Sequence, residues 1–241
     1  MQVSRPRRVS SALALLMSML LLAACGGQPK PDVHNITLTL IRHAESEANA
    51  SDVASTAVPG PPLTAVGQEQ AAKLADKLSR EKVDGIYASE LIRTQQTAAP
   101  LAKALGKEVT ILPGLNEIPA GWFEGISMKD TSGTFLLGPE AWLKGDRRFG
   151  IPGSVNGNQF NTAYTAAVQK IYDSGDKNPV AFSSSLSIMM WTLLNARNGR
   201  PSLLSEHPLP NTGEVVLTGN PVTGWSIVSW DGITSFAVDA A

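Results

Sequence analysis

Short runs of branched residues alternate with amphipathic stretches from about residue 35 onward, and this alternation restricts the fold more than any other feature of the chain. Residues 35–41 (Asn-Ile-Thr-Leu-Thr-Leu-Ile) read as a strand that stops at the polar cluster Arg42-His43-Ala44-Glu45-Ser46. Residues 51–62, rich in Ser, Ala, Pro and Gly, read as loop. Between residues 67 and 80, Ala71, Leu74, Ala75 and Leu78 repeat at helical spacing. A strand at 85–88, a helix over about 91–105 and a strand at 107–112 follow. Phe160, Tyr164, Ala167, Val168 and Ile171 mark another amphipathic helix. Residues 179–182 then read as a buried strand, and 186–194 as a helix apolar on nearly every face. Residues 214–217 and 224–230, around Gly219-Asn220-Pro221, predict a hairpin. Strands alternating with helices imply one α/β domain, a three-layer α/β/α sandwich with a mostly parallel central sheet. Residues 119–157, with many glycines and prolines and with Trp122 and Trp142, read as a long irregular insertion or cap.

Open sheets of this kind place ligands outside the carboxyl ends of their strands. Arg42-His43, residues 89–93 and residues 183–185 each follow a predicted strand, so three polar clusters converge on one edge. Taken singly, each residue has a plainer reading. A histidine after a strand can be a hydrogen-bonded surface residue, Arg93 a solvated helix-end arginine, Glu117 a loop acid and Asn49 a helix cap. The convergence is what favours a site.

Three arginines (Arg5, Arg7, Arg8) precede an apolar run over 12–22 that is too short to span a bilayer comfortably but suits a signal peptide. The run ends in Leu22-Ala23-Ala24-Cys25-Gly26, which resembles the lipobox of bacterial lipoproteins. Cys25, the single cysteine of the 241 residues, is then expected to carry a lipid as the first mature residue. An ordinary secretory peptide or signal anchor with an incidental cysteine is the plainer alternative. The expected division is a signal peptide over 1–24, the lipidated cysteine and a Pro/Gly-rich tether over 25–33, and the folded domain over 34–241. Of the 20 basic residues, 17 remain after position 24 against 21 acidic ones, a net charge of −4. Such a chain neutralises few phosphates at once, which argues against nucleic acid as a partner.

The motifs around the predicted strand ends resemble the histidine phosphatase superfamily in its phosphoglycerate mutase-like branch. Arg42-His43-Ala44-Glu45-Ser46-Glu47-Ala48-Asn49 matches the family's Arg-His-Gly/Ala-Glu-Ser/Thr-x-x-Asn signature. Leu63-Thr64-Ala65-Val66-Gly67-Gln68-Glu69-Gln70-Ala71 and the run from Ser89 through Arg93 to Ala98 match two further motifs. Leu115-Asn116-Glu117-Ile118 with Gly121-Trp122-Phe123-Glu124-Gly125 resembles a fourth. The four stand in the family's order and at its separations over residues 38–125, and the likeness extends more loosely to about residue 230. Combined with the lipobox, the pattern resembles the actinobacterial LpqD-type lipoproteins.

The resemblance implies a phosphoglycerate mutase-like fold and phosphomonoester hydrolysis through a phosphohistidine. It assigns His43 as nucleophile, Glu117 as general acid, and Arg42, Arg93 and Asn49 as phosphate contacts. Glu117 would need a raised pKa, because it must be protonated as the alcohol leaves and ionised as water attacks. Trp122 and Glu124 are expected to be structural, the tryptophan packed under the insertion. The expected partners are a small phosphorylated substrate or ligand and, through the lipid, a membrane. No cofactor or metal is expected.

One departure stands out. Where the family carries a second histidine after a later strand, in a Ser-His-Gly-x-x-Ile setting, this chain has Ser183-Ser184-Ser185-Leu186-Ser187-Ile188. Loss of one such donor typically costs about 10²–10³ in rate. Ser184 is expected to donate a neutral hydrogen bond to phosphate instead, helped by free N–H groups at the start of the following helix. A Ser184 nucleophile is disfavoured because no Gly-x-Ser-x-Gly frame surrounds it, and helix capping is its plainer role. His34 lies at the wrong edge of the sheet, and His207 could reach the site only if a long loop folded back. A phospho-ligand-binding or sensing lipoprotein without turnover therefore stands beside the phosphatase as a second reading.

Overall fold

The computed structural model describes residues 1–2 and 33–236. The expected signal peptide, Cys25 and nearly all of the tether lie outside the described residues. The chain divides into two units, Met1–Val33 and His34–Ala241, and every helix and strand among the described residues belongs to the second.

In chain order the elements are β1 (Ile36–Arg42), α1 (Glu47–Ala50), α2 (Ala65–Leu78), β2 (Ile86–Ala88), α3 (Ile92–Leu105), β3 (Val109–Ile111), α4 (Leu137–Leu143), α5 (Gly157–Asp173), β4 (Val180–Ser183), α6 (Ser185–Asn195), α7 (Leu203–Glu206), β5 (Glu214–Asn220) and β6 (Gly224–Trp230). They form a six-stranded sheet in the order β3-β2-β4-β1-β5-β6. The pairs β3–β2, β2–β4 and β4–β1 are parallel, whereas β5 runs antiparallel to β1 and β6 antiparallel to β5. The expected parallel sheet is thus extended on one side by the expected hairpin.

Strand residues alternate between the two faces, and each face has its own core. Ile86, Ala88, Val180, Phe182 and Ile41 pack with Leu74, Leu78 and Leu101 of α2 and α3. Tyr87, Ala181, Leu38 and Leu40 pack on the other side with Tyr164, Val168 and Ile171 of α5 and Ile188 and Met190 of α6. This is the three-layer sandwich. The helices start where the sequence offers caps: the Thr64 hydroxyl accepts from Gly67 N, and Asn156 forms a reciprocal box with Gln159. Gly67 lets α2 lie directly on the segment after His43, because a Cβ there would sit 2.0 Å from the Glu45 carbonyl oxygen.

Two expectations about residues 119–157 change. The segment holds the helix α4 between irregular stretches, and Phe135, Trp142 and Ile151 are buried in the same core as α5 and α6, so it is a structural wall as well as a cover. Trp142 stacks on Phe160 at 5.6 Å and donates its indole N–H to the Phe149 carbonyl at 2.9 Å. Trp122, expected to pack under the insertion, is instead 81% exposed. The one-turn 3₁₀ segment Gly121–Phe123 turns Phe123 toward the core and leaves Trp122 outside.

Candidate active site

The carboxyl ends of β1, β2 and β4 lie together: Arg42 pairs with Ser183, and Ala88 with Phe182. His43 follows where the backbone leaves β1, its N–H still donating to the Ser183 carbonyl at 3.0 Å. The imidazole is 4% exposed. Its Nδ1 faces the Ala44 carbonyl at 2.7 Å; a carbonyl only accepts, so Nδ1 carries the proton and Nε2 carries the lone pair. Arg93 Nε donates to that Nε2 at 2.9 Å. Burial, and next the Arg93 cation, hold the imidazole well below its ordinary 6.5; the Ala44 carbonyl opposes this and Arg42 reinforces it. A neutral ring with an unprotonated Nε2 is the form that can attack phosphorus once Arg93 gives up its hydrogen bond to that nitrogen.

The depressed value has a consequence for stability. Above pH 6.5 the imidazole is neutral whether the chain is folded or not. As pH falls below 6.5 the unfolded ring takes up a proton that the folded one refuses. Stability therefore drops with falling pH until the folded value is reached, by up to about 1.4 kcal/mol per pH unit. We expect denaturant midpoints of wild type to fall more steeply from pH 6.5 to 5 than those of His43→Gln. Parallel profiles would contradict the neutral assignment.

Arg93 reaches the site from the first turn of α3, 3% exposed. Besides His43 it donates through Nη2 to the Ser55 carbonyl at 2.9 Å. Gly60, at φ +68°, closes the 51–62 loop over it; a Cβ there would lie 2.8 Å from Arg93 Nη1. Arg42 donates Nη1 to the Leu209 carbonyl at 2.6 Å. Burial lowers both guanidiniums from their ordinary value and the Glu117 carboxylate opposes this, so both remain cationic near neutrality. Among the described residues, the buried Arg42 Nε and Arg93 Nη1 have no hydrogen-bond partner. Buried, unpaired guanidinium N–H groups are costly unless an anion meets them.

A cavity of about 280 Å³ joins Arg42, His43, Asn49, Arg93 and Glu117. Asn49 does cap a helix, as its plainer reading had it: its amide oxygen accepts from Ser46 N and from Asn211 Nδ2. That leaves its NH₂ group as the part available to an anion. Glu117 is tied to α6. Its Oε1 accepts from Ile118 N, Ser187 N and Ser187 Oγ, and its Oε2 accepts from Leu186 N alone, at 3.2 Å. Oε2 is therefore the freer oxygen for a proton.

This arrangement corrects two expectations about the second-histidine position. Two of the N–H groups at the start of α6, expected to face phosphate, are already taken by Glu117. Ser184 stands at the N-cap of α6 without capping it, 1% exposed, and its Oγ has no partner among the described residues. It does not line the cavity; Ser185 does, donating to the Leu209 carbonyl at 3.3 Å. Helix α7 and the chain after it do fold back, bringing Leu204, Pro208 and Leu209 to the cavity, yet His207 stays exposed and outside the lining. His34 stacks on Tyr172 at 5.2 Å.

Several contributors escaped the sequence. Asn211 Nδ2 bridges the His43 carbonyl and Asn49. Thr97 Oγ1 accepts from Ala44 N, fixing the turn behind the imidazole. Glu124, by contrast, has the structural role expected of it: it accepts from Thr56 N at 2.7 Å, from Ala57 N and from the Thr56 hydroxyl, holding the loop that covers Arg93. A turn-forming Pro-Asn-Thr-Gly run at 210–213 was the available sign of Asn211, and it carries no chemical signature.

The model of the histidine phosphatase superfamily (branch 1) matches residues 38–232. The PE-PGRS family protein PE_PGRS11 of Mycobacterium tuberculosis is 48% identical over 218 residues, covering 83% of this chain and 37% of that protein. Phosphoserine phosphatase 1 of Hydrogenobacter thermophilus is 35% identical over 109 residues, covering 45% of this chain and 51% of that one. The chain thus spans about a third to a half of the length of these curated relatives. Among solved structures, the mycobacterial glucosyl-3-phosphoglycerate phosphatase superposes with a TM-score of 0.66 at 18% identity, over 83% of this chain and all of that one. A phosphoserine phosphatase from Entamoeba histolytica, in complex with phosphoserine, superposes with a TM-score of 0.63 at 25% identity, over 85% and 100%.

Proposed function

The chain belongs to branch 1 of the histidine phosphatase superfamily, and from that premise we propose that it hydrolyses a small phosphomonoester through a phosphohistidine on His43. The observation that carries this reading is the pair of buried, unpartnered guanidinium donors, Arg42 Nε and Arg93 Nη1, in one cavity with a neutral imidazole. A phosphoryl group would satisfy both donors and give Arg93 an alternative to His43 Nε2. Nε2 then bonds to phosphorus as the phosphorus–oxygen ester bond breaks, and the departing alkoxide takes a proton from Glu117 Oε2. Water attacks phosphorus next; its proton returns to Glu117, the phosphorus–nitrogen bond breaks and phosphate leaves with His43 neutral again.

Turnover is weakened by Ser184, which replaces an imidazole donor with a hydroxyl that does not line the cavity. Ser184→His is expected to raise kcat about 10²-fold on a panel of phosphomonoesters. An unchanged kcat would argue against a missing donor at that position. Wild-type thermal stabilisation by phosphate or vanadate without hydrolysis of any ester would favour a phospho-ligand-binding lipoprotein instead. The Leu-Ala-Ala-Cys motif supports attachment through Cys25 to the outer face of a cell membrane, in the manner of LpqD-type lipoproteins. Palmitate labelling lost in Cys25→Ala supports that anchor; labelling that persists in the variant contradicts it.

A further inference from the structure

The walls above the phosphate-binding floor are apolar. Met128, Phe135, Leu136, Met189, Leu204 and Leu209 all line the cavity. Its two guanidinium groups, Arg42 and Arg93, are both committed to the floor beside His43. No other lysine or arginine is among the described lining residues, and the one lining carboxylate is Glu117. Four of the five lining hydroxyls, all but that of Ser55, are directed into the protein. Ser46 donates to Asn49, Thr56 to Glu124, Thr131 to the Met128 carbonyl and Ser185 to the Leu209 carbonyl.

We infer that the preferred substrate is the phosphomonoester of a compact, uncharged, apolar alcohol. This rests on the phosphatase reading and adds the nature of the leaving group. The carboxylate of a phosphorylated amino acid or hydroxy acid would leave water without a cation to meet it, and would face Glu117. A polyol would lose its hydration with few donors in return. An alkyl or aryl group instead removes apolar surface from water against the walls formed by residues 128–136 and 204–209. About 280 Å³, roughly nine water volumes, suits a phosphate with a short chain or single ring.

The test pairs binding with turnover. Calorimetry on the full chain would compare hexylphosphonate with 2-carboxyethylphosphonate, which cannot be hydrolysed. Hydrolysis of hexyl phosphate would be compared with that of phosphoserine and 3-phosphoglycerate. The alkyl ligand is expected to bind at least about tenfold tighter, and hexyl phosphate to show the higher kcat/KM by a similar factor. Met128→Lys, at a position already 45% exposed, is expected to narrow both differences by supplying the missing cation. Equal or reversed preferences in wild type would overturn this inference while hydrolysis of the acidic esters upheld the phosphatase. Tighter alkyl binding with no hydrolysis of any ester would overturn the phosphatase and leave the apolar preference standing as a binding property.

Discussion

His43→Ala is expected to lower kcat on any hydrolysed phosphomonoester by about 10⁴-fold or more, since removal of a covalent nucleophile leaves only the clamp and the positioned acid. The size of the effect follows from how narrowly the imidazole is set. Nδ1 is fixed on the Ala44 carbonyl, the backbone is held by Ser183 and Asn211, and burial with Arg93 and Arg42 nearby keeps Nε2 unprotonated. No other histidine can take over: His207 is exposed outside the cavity lining, and His34 stacks on Tyr172. The variant loses a buried ring, so a denaturation curve must accompany the kinetics. Arg42 and Arg93 remain, so thermal stabilisation by phosphate is expected to persist. A folded His43→Ala protein that keeps wild-type turnover would remove the imidazole from the mechanism.

Trp142→Ala is expected to cost about 3–5 kcal/mol, the usual range for truncating a fully buried large aromatic. At roughly 2–4 °C per kcal/mol for a domain of this size, the melting temperature should fall by about 10 °C. Trp142 is 2% exposed, stacks on Phe160 and bonds the Phe149 carbonyl. Gly157, the first residue of α5, approaches so closely that a Cβ there would lie 2.7 Å from the indole. One side chain therefore fastens the 119–157 segment to α5. Because Met128, Phe135 and Leu136 of that segment line the cavity, loosening it should raise KM more than it lowers kcat. A melting temperature within about 2 °C of wild type would show the segment to be held elsewhere.

The layers were legible because burial imposes period. Ile36, Leu38 and Leu40 on one side and Ile41 on the other, with Ala71, Leu74 and Leu78 at helical spacing, carry the sandwich in their order alone. The hairpin strand β5 runs beyond the 214–217 read from sequence: Thr218 and Gly219 continue its pairing with β1, and Asn220 pairs with Gly224 of β6, although Gly and Asn are depleted in strands. The site was legible where chemistry needs a residue type. Arg42, His43, Asn49, Arg93 and Glu117 meet in one cavity.

What the sequence hid were groups whose role is backbone geometry. The Leu209 and Ser55 carbonyls hold Arg42 and Arg93, and any residue type offers a carbonyl. Trp122 misled for a related reason. A large apolar side chain predicts burial, but the turn at Gly121–Phe123 packs Phe123, partly buried, against the core and leaves Trp122 exposed. The capping expected of Ser184 is done by Glu117: the distant carboxylate meets the first N–H groups of α6, while the serine at the N-cap does not. Local spacing favours the serine, whereas the fold brings an acceptor from a distant loop to the helix end.

In the reaction proposed for this chain, phosphorus bonds to His43. Rapid acid-free quenching of the wild-type chain with a ³²P-labelled hexyl phosphate, followed by peptide mapping, tests it directly. The expected label is stable in base, labile in acid and confined to the peptide bearing His43. Label on Ser184 or another hydroxyl, or release of labelled phosphate with no labelled protein at any time within the first turnover, would contradict it.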